Sequence, residues 1–388
     1  MTVIVPTKPS DHSFSISNII SRFRSKRSSI SKRPIQESKQ QVPQDTRPPL
    51  IPSPLPLVLP EHQHALPKLG WTTITFPESP TSPSPRDQDH APPSIGPHPL
   101  QTAYESLFTA SQAFFALPDS QKLQWKHKLG SEEGWSKIPG EKEFITLRSL
   151  EYCPDILKQP AKRYWDLMGS HLASTLDRIS TSLALPGDSL TRFVGPCGTM
   201  QGCDEMKTAT MLRLFRYEGW EPKVVAEPHA DLGLLSVVVG NVPGLEVWDG
   251  HAWFDVEREV ERAGMRGASL LVGRQLERMS NNRYSAGGHR VVSYGAPEPL
   301  ETATSEREPH YRYSIVFVLR AHEPVLIDSD ALETEITGKW EEKEKLKGVT
   351  AGRMYEGIRG RHYNINIDVE AREKQRRKIL VGKGEGAE

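Results

Sequence analysis

Arg213-Leu-Phe-Arg-Tyr-Glu-Gly-Trp220, continuing through Glu227-Pro-His-Ala-Asp-Leu-Gly-Leu-Leu235, is the stretch on which the reading of this chain turns. Within it, His229 and Asp231 are two residues apart, so on an extended segment the imidazole and the carboxylate project to the same face. One strand end then offers a nitrogen and an oxygen ligand to one metal ion. The segment that follows, Leu232 to Val239, is apolar and β-branched and predicts a rigid strand behind the pair. An isolated His-x-Asp is more often an ordinary surface pair, so the weight of the reading falls on what lies downstream.

Sixty positions on, the turn-rich segment Leu276 to Gly288 delivers His289 into the apolar run Arg290-Val-Val292. Two histidines and one carboxylate holding one face of a metal, with the other face open, is the arrangement that non-haem Fe(II) uses for oxygen chemistry. A third piece is Tyr311-Arg-Tyr-Ser-Ile-Val-Phe-Val-Leu-Arg320, in which Arg312 and Ser314 share one strand face. A guanidinium fork beside a hydroxyl suits a carboxylate through parallel charge-assisted hydrogen bonds.

The order His-x-Asp, His, Arg-x-Ser resembles the Fe(II)- and 2-oxoglutarate-dependent dioxygenases, in particular the isopenicillin N synthase-like group with its plant flavonoid and gibberellin oxygenases. The similarity runs from about Leu69 to about Ile327. It implies that His229, Asp231 and His289 are the catalytic metal ligands for Fe(II). It also implies that Arg312 and Ser314 hold the far carboxylate of the co-substrate 2-oxoglutarate, with O2 taking a remaining position on the metal. Tyr217 falls where the group often places a tyrosine against the co-substrate, although Phe215-Arg-Tyr-Glu218 stands here in place of the usual Asn-Tyr-Tyr-Pro. The 23 positions from His289 to Arg312 are more than is usual in the group, and the excess between Tyr294 and Pro309 reads as an enlarged hairpin loop.

The implied activity is oxidation of a small organic molecule, by hydroxylation, desaturation or cyclisation, in secondary metabolism. An oxidase of the isopenicillin N synthase kind, needing no 2-oxoglutarate, is the nearest alternative. A non-catalytic small-molecule binder on the same fold is a more distant one, because all three metal ligands are present. A zinc hydrolase would give no reason for Arg312 and Ser314, and no His-Glu-x-x-His motif stands in the chain.

Charge supports no polyanionic partner: 49 basic residues balance 49 acidic ones, so neither nucleic acid nor an anionic membrane is indicated. No apolar run approaches the roughly 20 residues of a spanning helix. The three cysteines, Cys153, Cys197 and Cys203, are too few to staple a fold, and no secretory signal opens the chain, which fits a reducing, cytoplasmic setting. The basic N-terminal tail leaves organellar or nuclear targeting open.

Four regions are expected. Residues 1–65 form a disordered Pro/Ser/basic tail; more than half of the 32 prolines lie before residue 101. Residues 66–195 form an N-terminal helical region, with a Pro-rich linker at 77–100 and a first strand at Leu69 to Phe76. Apolar spacing predicts amphipathic helices over Thr102–Leu117 and Pro160–Leu185, the latter with His171 on its packed stripe. An extended segment from Gly134 to Arg148 turns at Pro139-Gly140 and resembles the family's stretch along the active-site mouth, which makes Lys142 and Arg148 candidate substrate contacts. Residues 196–330, with short strands at Met211–Tyr217, Leu234–Val239, Leu245–Trp248, Trp253–Val256, Ser269–Val272, Val291–Tyr294 and Tyr313–Leu319, indicate a sandwich or barrel. Taken with the resemblance, the fold is mainly β with flanking helices around a double-stranded β-helix, a jelly roll. Residues 331–388 are a charged extension, with a solvated helix over Thr337–Lys347, a segment Val349–Ile367 able to pack on the core or cover the site, and a frayed end from Arg372.

Overall fold

The computed structural model describes residues 45–76, 97–127, 132–219, 221–295, 311–362 and 364–384, and all that follows concerns the unit from Thr46 onward. Thirteen strands are present among these residues. They are β1 (Trp71–Phe76), β2 (Gly134–Ile138), β3 (Lys142–Leu147), β4 (Met211–Glu218), β5 (Pro222–His229), β6 (Leu235–Gly240), β7 (Leu245–Trp248), β8 (Trp253–Asp255), β9 (Arg266–Val272), β10 (His289–Tyr294), β11 (Tyr311–Leu319), β12 (Leu326–Asp328) and β13 (Lys347–Thr350). A seven-stranded sheet in the order β1-β9-β6-β11-β4-β3-β2 faces a four-stranded sheet in the order β5-β10-β7-β8, and every pairing is antiparallel. This is the expected jelly roll.

Alternation along β11 divides the large sheet into two faces. Ile315, Phe317 and Leu319 are fully buried toward the helices α1 (Pro99–Ala116) and α2 (Asp155–Ser182). Trp165 and Tyr164 of α2 meet the Phe317 ring edge-on, at centroid distances of 5.3 and 6.4 Å. Ser314, Val316, Val318 and Arg320 point the other way and line a cavity. The helical layer thus stiffens the back of the sheet whose front carries the site.

Strands β1, β2 and β3 come from the N-terminal region, and they complete the main sheet. The packed chain also starts earlier than residue 65: Leu55, Val58 and His62 are buried. Gln63 secures this segment, its amide accepting from Leu55 N at 2.6 Å and donating to Val58 O at 2.7 Å. Residues 1–44, most of the linker and the loop 296–310 lie outside the described residues.

Helix α2 starts at Asp155 and runs through Pro160, its sixth residue, which forfeits one backbone hydrogen bond in the second turn. Val256 opens helix α3 (Val256–Arg262), where Asp255 caps Arg258 N, and does not extend β8. Helix α4 (Arg274–Met279) stands where only turns are expected. Thr337–Lys347 holds no α-helix, only a single 3-10 turn at Glu342–Glu344. The C-terminal end is helical as α6 (Val369–Gly384), after α5 (Ala351–Arg359). Its Arg372 is 3% exposed and ion-paired with Glu141 at 2.5 Å and Glu227 at 3.2 Å, which corrects the expectation of fraying. Among the described residues no helix is long and apolar enough to cross a membrane.

Candidate metal centre

His229 is the last residue of β5 and His289 the first of β10, and the two are direct partners in the antiparallel register. Directly opposed residues bring their side chains together on one face, and the ring centroids are 4.1 Å apart. Asp231 follows β5 by two residues, and its carbonyl accepts from Arg274 N at 2.8 Å, which ties the loop to the start of α4. Its carboxylate oxygens lie 4.0 Å from His229 Nε2 and 3.9 Å from His289 Nε2. One donor atom from each residue fits within a 4.8 Å cluster.

The hydrogen bonding suits a metal. His229 Nδ1 is 2.7 Å from Glu227 O, and His289 Nδ1 is 3.0 Å from Gly287 O. A carbonyl only accepts, so each Nδ1 carries the proton and each Nε2 lone pair is left for a ligand. Asp231 Oδ2 is buried with no hydrogen-bond partner. Burial first, then the neighbouring His289, push His229 down to about 3, so it stays a neutral donor. Burial alone would raise the Asp231 carboxyl, but His289 and His229 outweigh it and hold the group below its usual range. A neutral His229 beside an ionised Asp231 is the pair of protonation states that metal binding requires.

Backbone packing sets the position of His289. A Cβ on Gly287 would fall 2.2 Å from Gly70 O, so only glycine allows the chain leading into β10 to pass Gly70 this closely. The sequence quotes that glycine without revealing the contact.

The three residues line a cavity of about 800 Å³, with Tyr217, Phe215 and Arg213 of β4 and Ser314 of β11 also in its wall. Arg312 lies opposite Tyr217 in the β4–β11 register, and its guanidinium carbon is 5.7 Å from the Tyr217 ring. Arg312 is 4% exposed; its Nη2 donates to Glu257 of α3, its Nε to Val242 O at 3.2 Å, and its Nη1 has no partner. The Ser314 hydroxyl lies beside the Tyr217 phenol and is otherwise unpartnered. Burial pushes Tyr217 up to about 12, against the opposing pull of Arg312. Five of the six expected residues therefore meet in one cavity, and the sixth, Arg312, stands behind Tyr217.

Lys142 and Arg148 lie outside the lining. Lys142 Nζ donates to Ile365 O at 3.1 Å, and Arg148 donates to Thr208 O at 2.6 Å. His171 sits in α2, where burial pushes it down to about 4, and Cys153, Cys197 and Cys203 are free thiols. Arg213, Arg320, Glu132 and the α5 and α6 residues in the lining are absent from the expected site. Period-two spacing was the available signal: Arg213 shares a face with Tyr217, and Arg320 with Arg312.

Comparison with known proteins places this architecture. The structure superposes on Neurospora crassa T7H in complex with alpha-KG and thymine with a TM-score of 0.54 at 17% identity, over 77% of this chain and 89% of that one. A putative 2OG-Fe(II) oxygenase family protein from Caulobacter crescentus gives a TM-score of 0.53 at 19% identity, over 77% and 92% of the two chains. The fold is that of the 2-oxoglutarate- and Fe(II)-dependent oxygenases. A further chain with this oxygenase fold, the rice dioxygenase for auxin oxidation, gives a TM-score of 0.50 at 18% identity, over 76% and 86%. In sequence, the chain is 34% identical over 87 residues to the probable flavonol synthase 6 of Arabidopsis thaliana, a stretch covering 22% of this chain and 28% of that protein. No protein-family model matches.

Proposed function

We propose that this chain is a non-haem Fe(II)- and 2-oxoglutarate-dependent dioxygenase that oxidises a small organic molecule. The observation that carries the reading is the convergence of His229 Nε2, His289 Nε2 and an unpartnered Asp231 oxygen on one cavity wall. In this reading His229, Asp231 and His289 hold the iron. The distal carboxylate of 2-oxoglutarate is assigned to the Ser314 hydroxyl, in the cavity wall beside Tyr217, and to the unpartnered Nη1 of Arg312, which stands behind Tyr217 and outside the lining. Bound Fe(II) supplies the activation of O2, coupled to oxidation of 2-oxoglutarate to succinate and CO2. The protein's own part is to orient the ligands, to neutralise the co-substrate carboxylate with a buried cation, and to restrict water through α5 and α6, which line the cavity.

One observation favours the alternative oxidase without 2-oxoglutarate: Glu257 already places both carboxylate oxygens 2.8 Å from Arg312 Nη2. The two readings separate by anaerobic titration of the Fe(II)-loaded protein with 2-oxoglutarate, following the visible charge-transfer band of the chelate. A saturable band that weakens at least tenfold in Arg312→Ala is expected. Iron binding with no band would establish the oxidase, and no iron binding would leave a non-catalytic binder. The substrate, by analogy with the proteins of this fold, is a small molecule of secondary metabolism.

A further inference from the structure

Arg213 has an unusual position among the cations of the cavity. It lies in the middle of β4, opposite Val316 on one side and Thr146 on the other, and faces inward. Its Nε donates to Thr146 Oγ1 at 2.7 Å, and its guanidinium carbon lies 5.5 Å from the Phe144 ring and 6.0 Å from that of Phe215. These contacts fix the plane of the group. Among the described residues no hydrogen bond or ion pair reaches Nη1 or Nη2.

The nearby arginine is different. Arg320 is paired through Nη1 and Nη2 with Glu132, at 2.5 and 3.3 Å, and it covers the Tyr355 ring at 4.5 Å. That pairing leaves Glu132 committed, so the wall carries one cation more than it neutralises. Elsewhere in the lining Arg359 is paired with Glu356, and Arg376 with Glu227 and Glu373, so neither shares the position of Arg213. Arg213 is half-buried, and burial pulls it below its ordinary value, against the opposing effect of Glu132, so a bound anion would meet a cation that has no ion pair of its own. Met211, Phe215, Val316 and Val318 make the part of the wall around the arginine apolar.

Placement along the sheet gives Arg213 its own task. It is four residues from Tyr217, the register partner of Arg312, on the same face, about 13 Å at the strand rise, and two residues from Phe215, the partner of Ser314, about 7 Å, so it stands apart from the Arg312 end. We infer that Arg213 is the specificity anchor for the molecule to be oxidised, and that this molecule is an organic acid: an apolar carbon skeleton bearing one carboxylate, which the Arg213 fork binds through Nη1 and Nη2. One planar fork matches the two oxygens of a carboxylate. A phosphate would call for a second donor set, and that of Arg320 is already occupied by Glu132. The inference rests on the proposed function for the identity of the cavity as an active site.

The test uses the full chain, with and without Fe(II) and 2-oxoglutarate, under argon. Ligand-observed NMR screens a set of aromatic and alicyclic carboxylic acids, each beside its primary amide, with aryl phosphates as a third series. Acids are expected to bind about tenfold to a hundredfold tighter than their amides. That preference should be lost in Arg213→Gln and kept in weakened form in Arg213→Lys. Retention of the 2-oxoglutarate charge-transfer band in both variants shows that the fold and the co-substrate end are intact. Equal binding of acids and amides, a preference for aryl phosphates, an acid preference that survives Arg213→Gln, or no acid bound at all would each overturn the inference. Arg213-dependent acid binding in a protein that forms no chelate band would leave the inference standing and remove the proposed function instead.

Discussion

Glu257 lays both carboxylate oxygens 2.8 Å from Nη2 of Arg312, and its Oε2 also accepts from Leu245 N at 2.8 Å. Helix α3 thereby fixes one edge of the guanidinium and leaves Nη1 directed away. The pair is almost completely enclosed, at 4% and 14% exposure. Removing one partner of such a pair leaves an uncompensated charge and costs roughly 3 kcal/mol or more. Glu257→Ala should therefore lower the unfolding free energy by about that amount in urea denaturation, and Glu257→Gln, which keeps an acceptor, by less. Equal small losses in both variants would mean that the pair does not hold Arg312.

The metal assignment predicts a loss that is independent of any substrate. Because ligand binding to the folded state raises its stability, Fe(II) or Mn(II) should raise the thermal midpoint of the wild-type protein. His289→Ala and Asp231→Asn should abolish the shift and retain no iron after desalting. A full metal-dependent shift in either variant would remove that residue from the ligand set.

The candidate ligand set is legible because a metal site needs specific side chains at specific strand ends, and His229, Asp231 and His289 are residue types that could hold a metal ion. Sheet strands such as Met211–Tyr217 and Tyr313–Leu319 were legible because apolar and polar residues alternate along them. Strand β5 was missed because Pro222 and Pro228 mask its pattern, though it pairs with β10 from Pro222, opposite Tyr294, to His229, opposite His289. Helix α6 was missed for a different reason. Its Arg- and Glu-rich composition reads as solvated, whereas Arg372 is buried by partners on β5 and next to β3, more than 140 positions away in sequence. Arg213 stood in the stretch that decided the fold, yet its role depends on the absence of a counter-ion, which spacing cannot reveal.

The approach of Gly287 to Gly70 couples the fold to the metal through His289, since Gly287 O accepts from the imidazole. Gly287→Ala would force the two backbones apart, and disturbing the carbonyl that orients a ligating imidazole costs about tenfold to a hundredfold in metal affinity. Competition against a chelator should show that loss. Gly288→Ala meets only Trp248 Cβ at 3.5 Å, an ordinary contact, and should bind metal like the wild type. Similar affinities for both variants would separate the glycine contact from the site.

Lys142 predicts a pH dependence whose sign follows from its burial. Its side chain is 1% exposed, with Nζ donating to Ile365 O, and burial pushes it from 10.5 down to about 7; Glu141 and Glu227 oppose the shift, while Arg372 and Arg213 add to it. Between these two values the unfolded chain holds a proton that the folded protein has released, so stability rises with pH across the interval. The contribution is complete above about 10.5 and is lost as pH falls toward about 7. Urea melts at pH 7, 8 and 9 should therefore show the wild type gaining stability relative to Lys142→Met as pH increases. A difference that stays constant with pH would mean that Lys142 keeps its proton in the folded state, and that the carbonyls of Val225 and Ile365 solvate the ammonium well enough to offset its burial.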